Sequence, residues 1–282
     1  MSESTSVALN VTSRDRVLFR SSLVAAGTFT CTPADAIFRD SGPIGAHSIV
    51  FPRTTVSIRH AGGPRFVSTP NQVNLYCRGQ EYERQAIDPA GDRCDWFALD
   101  DSLVEEAAQS MQQAVTCDRP FSEPFRPADP EIVLAQRQLV KKLGTADALH
   151  IEEEVLQIVE SVLREESSPV RFESGSSRQR DLVEGTKELL AVRLEERITT
   201  GEIAREMGTT PFHLCRIFRR WTGMSIYAWR QQLRTTVALE RLRSGERLSN
   251  LASELGFASH SHFTLAFRKT FGLTPSDFRS DS

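Results

Sequence analysis

The chain has 282 residues, long for one domain, so two domains are expected. Its 39% hydrophobic and 25% charged residues are ordinary globular values, and no run of eighteen or more apolar residues marks a membrane span. The net charge of −3 hides an asymmetry: from Arg180 onward 16 Lys+Arg stand against 12 Asp+Glu, a net of +4, while the rest carries 18 against 25, a net of −7. A basic tail on an acidic body fits nucleic acid or another acidic partner for the tail.

The opening MSESTSVALNVTSRDR lacks the basic start and apolar stretch of a signal peptide. Five scattered cysteines (Cys31, Cys77, Cys94, Cys117, Cys215) without CxxC spacing read as free thiols of a reduced, cytoplasmic protein. From about 17 to 100 the chain reads as short strands. AHSIVFP, TTVSIRH, QVNLYC and CDWFAL are rich in β-branched and aromatic residues and are separated by turns at AGGPRF and Gly79. DDSLVEEAAQSMQQAV follows as a helix with Asp101 or Ser102 near its start. Many short strands at close spacing predict a small barrel or sandwich over 1–130.

The Pro-rich DRPFSEPFRPADP (118–130) predicts an extended connector. Helices are expected at 131–143 and 147–166. In the second, Ile151, Val155, Ile158, Val159 and Val162 share one face, and Leu149, Leu156 and Leu163 form a neighbouring stripe. So wide an apolar surface needs partners on more than one side: the body of its own domain, or a second copy in a homodimer. SSPVRFESGSSRQR (167–180) has the composition of a flexible linker, and 181–282 reads as helical nearly throughout.

The helical part contains one unit twice. IAREMG (203–208) matches LASELG (251–256), and Leu214, Phe218, Arg219 and Gly223 correspond to Phe263, Phe267, Arg268 and Gly272. Each unit, about 199–223 and 247–272, has the physics of a helix-turn-helix. A short helix ends at Gly208 or Gly256, where a left-handed backbone is cheap, and a second helix follows at 211–220 or 260–269. Thr199-x-x-Glu202 predicts a capping box, Thr210 and Ser259 predict N-caps, and Pro211 suits a first helical position. Residues four apart share a helix face, so Leu214 with Phe218 and Phe263 with Phe267 must point inward. Phe212, Cys215, Arg216 and Arg219 are then outward in one copy, and Ser261, Thr264, Leu265 and Arg268 in the other. His260 and His262 diverge around the helix axis and do not converge on one ion. His260 and Ser261, at a helix N-terminus, are placed for phosphates or base edges. Between the units, 225–245 predicts a helix spanning about 28 Å, comparable with the ~34 Å turn of B-DNA.

LCRIFRRWTGMS (214–225) and GFASHSHFTLAFRKTFGLTPSDFR (256–279) resemble the DNA-binding domain of the AraC/XylS family of bacterial transcription regulators. The resemblance covers about the last hundred residues. It implies two helix-turn-helix units on adjacent major-groove segments of double-stranded DNA. It also implies action beside RNA polymerase, usually as an activator. By position, Phe212, Cys215 and Arg216 fall where family members reach base edges, and Arg219 and Arg268 fall at phosphate-contacting positions. Arg216 is the strongest reader, since a guanidinium can bind guanine O6 and N7 with two bonds. Many members carry Arg where Leu265 stands, so the first unit is expected to dominate discrimination, with His260, Ser261 and Thr264 adding modest selectivity.

HSIVFP…SIRHAGGPRFVSTPNQVNLYCRGQEY…GDRCDWFAL resembles, more loosely, the family's cupin-like sensor domain, without the GxxxxxHxHxxxxE run of metal cupins. The expectation is an α+β protein: a cupin-like β-barrel with a helical dimerisation or docking segment at 131–166, then an all-α domain of two helix-turn-helix units. No enzyme motif, metal site or cofactor is expected. An unknown small-molecule effector is expected at the barrel, with a protein-interaction or redox-sensing role, through Cys77 or Cys94, as the alternative.

Overall fold

The structure is a computed structural model that describes Val7, Leu9 and residues 11–110, 119–164, 176–243 and 246–280. The chain divides into two compact units, Met1–Ser167 and Ser168–Ser282.

The first unit runs β1 (Asp15–Arg20), β2 (Val24–Cys31), β3 (Asp40–Ser41), β4 (His47–Pro52), β5 (Val56–His60), β6 (Arg65–Ser68), β7 (Gln72–Tyr76), β8 (Tyr82–Ala86) and β9 (Asp92–Leu99). Then come α1 (Asp101–Ser110), β10 (Phe125–Pro127), α2 (Pro130–Lys142) and α3 (Ala148–Arg164). The strands form a six-stranded sheet, β1-β2-β9-β4-β7-β10, and a four-stranded sheet, β3-β8-β5-β6, with every pairing antiparallel. No strand pairing links the two sheets among the described residues; they face each other across a cavity, so the unit expected as a small barrel or sandwich is β-rich as read, without ring closure among the described strands.

Side-chain alternation along β9 organises this unit. Asp92, Cys94, Trp96 and Ala98 line the cavity. On the opposite face Asp95 is fully buried, accepts a 2.8 Å hydrogen bond from Gln136 Nε2, and ion-pairs with both Arg53 and Arg137. That cluster ties α2 to the sheet. The Pro-rich connector is extended as expected, but three of its residues pair with β7 as an edge strand, where Pro127 is tolerated. Arg126 of this strand donates to the carbonyls of Val162 and Leu163 at 3.0 Å, capping the last turn of α3 with a cation. The start of α1 is capped by Asp100, which accepts from the Ser102 N–H at 3.0 Å, one residue earlier than the sequence suggested. Residues 111–115 of that expected helix lie outside the described residues.

The apolar face of α3 is largely used within its own unit. Ile151, Val155, Ile158, Val159, Val162 and Leu163 are buried. The leucine stripe therefore divides: Leu163 is buried, Leu156 half-buried and Leu149 64% exposed.

The cysteines that suggested a redox module are protected thiols. Cys31, Cys77 and Cys94 are buried and unpaired, and burial raises the Cys77 thiol pKa and takes that of Cys94 well above its ordinary value. A thiol held protonated is a poor nucleophile. Cys117 lies outside the described residues. His47 accepts a hydrogen bond from the Arg78 N–H through Nδ1, and the His60 ring packs on Tyr76 at 4.8 Å.

The second unit is α4 (Ser177–Val192), α5 (Thr200–Glu206), α6 (Pro211–Thr222), α7 (Ile226–Arg243), α8 (Leu248–Glu254), α9 (His260–Phe271) and α10 (Pro275–Ser280). The expected linker at 167–180 is overturned at its end. Ser176 accepts from the Gln179 N–H as N-cap, so 177–180 already belong to α4; residues 167–175 lie outside the described residues. The local signals read from sequence all operate. Thr199 and Glu202 close a capping box at α5, and Thr210 and Ser259 cap α6 and α9. Gly223 and Gly272 terminate those helices at φ 72° and 76°.

Candidate nucleic-acid interface

The periodicity of α6 splits it into a buried and an exposed face. Leu214, Ile217, Phe218 and Trp221 join a core with Val183, Leu190, Ile203, Ala204, Trp229 and Leu233, in which the Phe218 and Trp229 rings meet edge-on at 5.9 Å. That leaves Phe212 (79% exposed), Cys215, Arg216, Arg219 and Arg220 facing outward.

In α9 the buried face is an aromatic ladder. Phe257, Phe263, Phe267 and Phe271 stack successively at 5.2, 5.8 and 4.8 Å, and Phe278 from α10 reaches Phe267 at 6.3 Å. The GLTPSDFR stretch has a physical role here. Asp277 accepts from the Thr274 N–H and hydroxyl while Thr274 Oγ1 accepts from the Asp277 N–H, a reciprocal cap that starts α10 behind Pro275 and seats Phe278 in the core. These bonds hold the Asp277 carboxyl below its ordinary pKa.

The outward face of α9 carries His260, Ser261, Leu265 (69% exposed), Arg268 and Lys269. Thr264 departs from expectation: its hydroxyl oxygen is buried and has no hydrogen-bond partner, so it presents no hydroxyl at the surface. The cause is its place on the helix, one residue past the inward Phe263. His262 is also absorbed into the protein. Its ring meets Phe257 edge-on at 5.5 Å and Nε2 lies 3.4 Å from Gln231 Nε2 on α7. Of the two imidazoles, His260 alone is exposed.

Two arginines elsewhere in the unit are ion-paired. Arg193 is neutralised by Glu196 and Glu206, and Arg241 by Glu246 and Glu254. Among the described residues Arg216, Arg219, Arg220, Arg268 and Lys269 have no carboxylate within ion-pair distance. Unpaired guanidiniums on an exposed helix face are what phosphate oxygens and guanine edges require.

Sequence reasoning missed what sets the two helix-turn-helix units relative to each other. On α7, Arg230 donates to the carbonyls of Arg193 (2.8 Å) and Leu194 (3.2 Å), just past the C-terminus of α4, where a cation is favoured. Arg234 donates to Leu194 at 2.8 Å, to Glu196 at 3.2 Å and to the Gly256 carbonyl at 2.9 Å. One guanidinium thus joins the segment before α5 to the turn before α9. Burial pulls its pKa down to about 10, with the neighbouring Arg230 charge adding to the effect. Its Cζ also lies 5.7 Å from the Phe257 ring centroid. In the sequence these arginines look like solvated charges on a long helix; the signal that distinguishes them is their four-residue spacing on the face bearing Leu233.

A family profile described as a helix-turn-helix domain matches residues 203–281. The chain is 31% identical over 87 residues to the regulatory protein SoxS of Salmonella typhimurium, covering 30% of this chain and 81% of that protein. It is 30% identical over 107 residues to the bifunctional transcriptional activator/DNA repair enzyme Ada of Escherichia coli, covering 38% of this chain but only 30% of Ada. Among solved structures, an apo ToxT variant from Vibrio cholerae is similar over 91% of this chain and 97% of its own, at 12% identity and a TM-score of 0.40. On the helix-turn-helix match and the likeness to SoxS, the chain belongs to the AraC/XylS family of transcription regulators.

Proposed function

We propose that the chain is a sequence-specific DNA-binding transcription regulator, an activator that reads two adjacent major-groove segments with α6 and α9 and responds to a small molecule held by its N-terminal unit. One observation carries the reading: two repeated helices bury their apolar faces completely and turn unpaired arginines outward. In this reading Arg216 contacts guanine, with Phe212 and Cys215 making apolar contacts beside it. Arg219 and Arg268 hold phosphates, and His260 and Ser261 add contacts at the N-terminus of α9. RNA polymerase is the partner that activation requires. A second copy of the chain would meet α3 at Leu149 and Leu156, the part of the stripe its own unit leaves uncovered. No helix among the described residues is long and apolar enough to cross a membrane.

The test is selection of a cognate site from random duplexes with the full chain, followed by titration at fixed salt. Specific binding at least about a thousandfold tighter than binding to random DNA is expected. Equal affinity for both would reduce the chain to a nonspecific binder and end the proposal.

A further inference from the structure

The helices α6 and α9 share one register, so their exposed faces correspond residue by residue. Each has 12 residues, with N-caps Thr210 and Ser259 and C-caps Gly223 and Gly272, both pairs 49 positions apart. At that offset the buried Leu214 and Phe218 fall on the buried Phe263 and Phe267. The exposed residues then pair as Phe212 with Ser261, Arg216 with Leu265, Arg219 with Arg268 and Arg220 with Lys269. The basic pair toward the C-terminal end is present in both helices. The middle position carries a guanidinium in α6 and an isobutyl group in α9.

Leu265 is 69% exposed. Residues three and four apart on a helix are neighbours, so it stands between Ser261 on the turn before and Arg268 and Lys269 on the turn after. A lone exposed leucine is ordinary on a protein surface. This one lies at the centre of a basic face, in the register of Arg216. The side chains beside it leave the position to carbon: the Thr264 hydroxyl oxygen is buried, and the His262 ring packs edge-on against Phe257. The partner of such a face carries anions around an apolar group. The major groove of DNA has that pattern, because phosphates flank it and thymine alone of the four bases presents a methyl group there, at C5. A leucine has no donor or acceptor with which to read the other base edges.

We infer that Leu265 is a specificity-determining residue whose side chain packs on the C5-methyl group of a pyrimidine, so that α9 selects thymine where α6 selects guanine. The assignment rests on the DNA-binding reading above and deepens it by naming the base. Burying one methyl group gives about a fourfold preference. A two-bonded arginine–guanine pair gives about five- to 150-fold, so α6 remains the stronger discriminator.

The test uses the full chain and the site it selects from random duplexes, titrated at fixed salt. Each thymine of that site is replaced in turn by deoxyuracil, which removes the methyl group and leaves the pairing edge intact. At one position affinity should fall about fourfold. With a C·G pair placed there, 5-methylcytosine should bind about fourfold tighter than cytosine, since it restores the methyl group. Leu265→Ala should abolish both differences, whereas Arg216→Ala should leave them. The salt slope of Leu265→Ala should match that of the unmodified protein, because no phosphate contact is lost. Leu265 lies outside the core and alanine is the best helix former, so this variant keeps the fold. A site that no uracil replacement weakens, or a loss of the same size in Leu265→Ala, overturns the assignment. A chain that selects no site at all ends the regulator reading and this assignment together; a selected site indifferent to the methyl group ends this assignment alone.

Discussion

Arg216 and Arg219 sit three residues apart on one exposed helix face, and the proposal gives them different jobs. Arg216→Ala should cost about 1–3 kcal/mol on the cognate site and relax base preference at one position. A loss of the same size on random DNA would remove Arg216 from base readout. Arg219→Ala and Arg268→Ala should weaken binding evenly across sequences and lower the salt slope by about one each. Unchanged slopes would show that those faces do not meet phosphates. In the N-terminal unit, burial lowers the His60 pKa to about 4, and its ring is held among Phe66, Tyr76 and Tyr82. The folded state keeps this imidazole neutral, whereas the unfolded chain protonates it below about pH 6.5. Its contribution is complete above about pH 6.5 and is lost as pH falls toward 4, by at most about 1.4 kcal/mol per pH unit. Urea midpoints followed across that window should fall with acid in the wild-type protein and fall less in His60→Phe.

The two turn glycines make a controlled comparison between elements. Gly208 and Gly256 both have positive φ, 62° and 72°. A Cβ at Gly208 would meet nothing within 4 Å, whereas at Gly256 it would lie 2.3 Å from the Glu195 carbonyl oxygen and 2.4 Å from Arg234 Nη2. Gly208→Ala should cost about 1–2 kcal/mol of backbone strain alone. Gly256→Ala should cost clearly more, because it also displaces backbone and the Arg234 bridge. Chemical denaturation of the two variants checks this, and equal losses would mean that the bridge is not held as described. The repeat, the caps and the inward Leu214/Phe218 and Phe263/Phe267 pairs were legible in the sequence because helical periodicity and capping act within about four residues. Thr264 was misjudged because it lies at the border between the two faces, where spacing alone does not decide where a hydroxyl points. α10 was missed as an element because its reciprocal cap, Thr274 with Asp277, is followed by only one turn of helix.

At the scale of the whole helical unit, α7 packs against α6, α8, α9 and α10, and its arginines tie the segments leading into both helix-turn-helix units. The two reading helices should therefore act at fixed spacing. Inserting about five base pairs, half a turn of B-DNA, between the two segments of a selected site should remove the second unit's contribution. Electrophoretic titration would show it as a loss equal to that of deleting the second segment; full affinity on the spaced site would mean that the units move independently. The amino-acid sequence on its own determined the family, the doubled helix-turn-helix, the caps and the exposed arginine faces, since each depends on residue spacing along a helix. Folding in three dimensions decided how the strands divide between two facing sheets, that Pro127 pairs at a sheet edge, and that Arg230 and Arg234 are structural. Those outcomes depend on contacts between residues far apart in the chain, whose pairing no local pattern encodes.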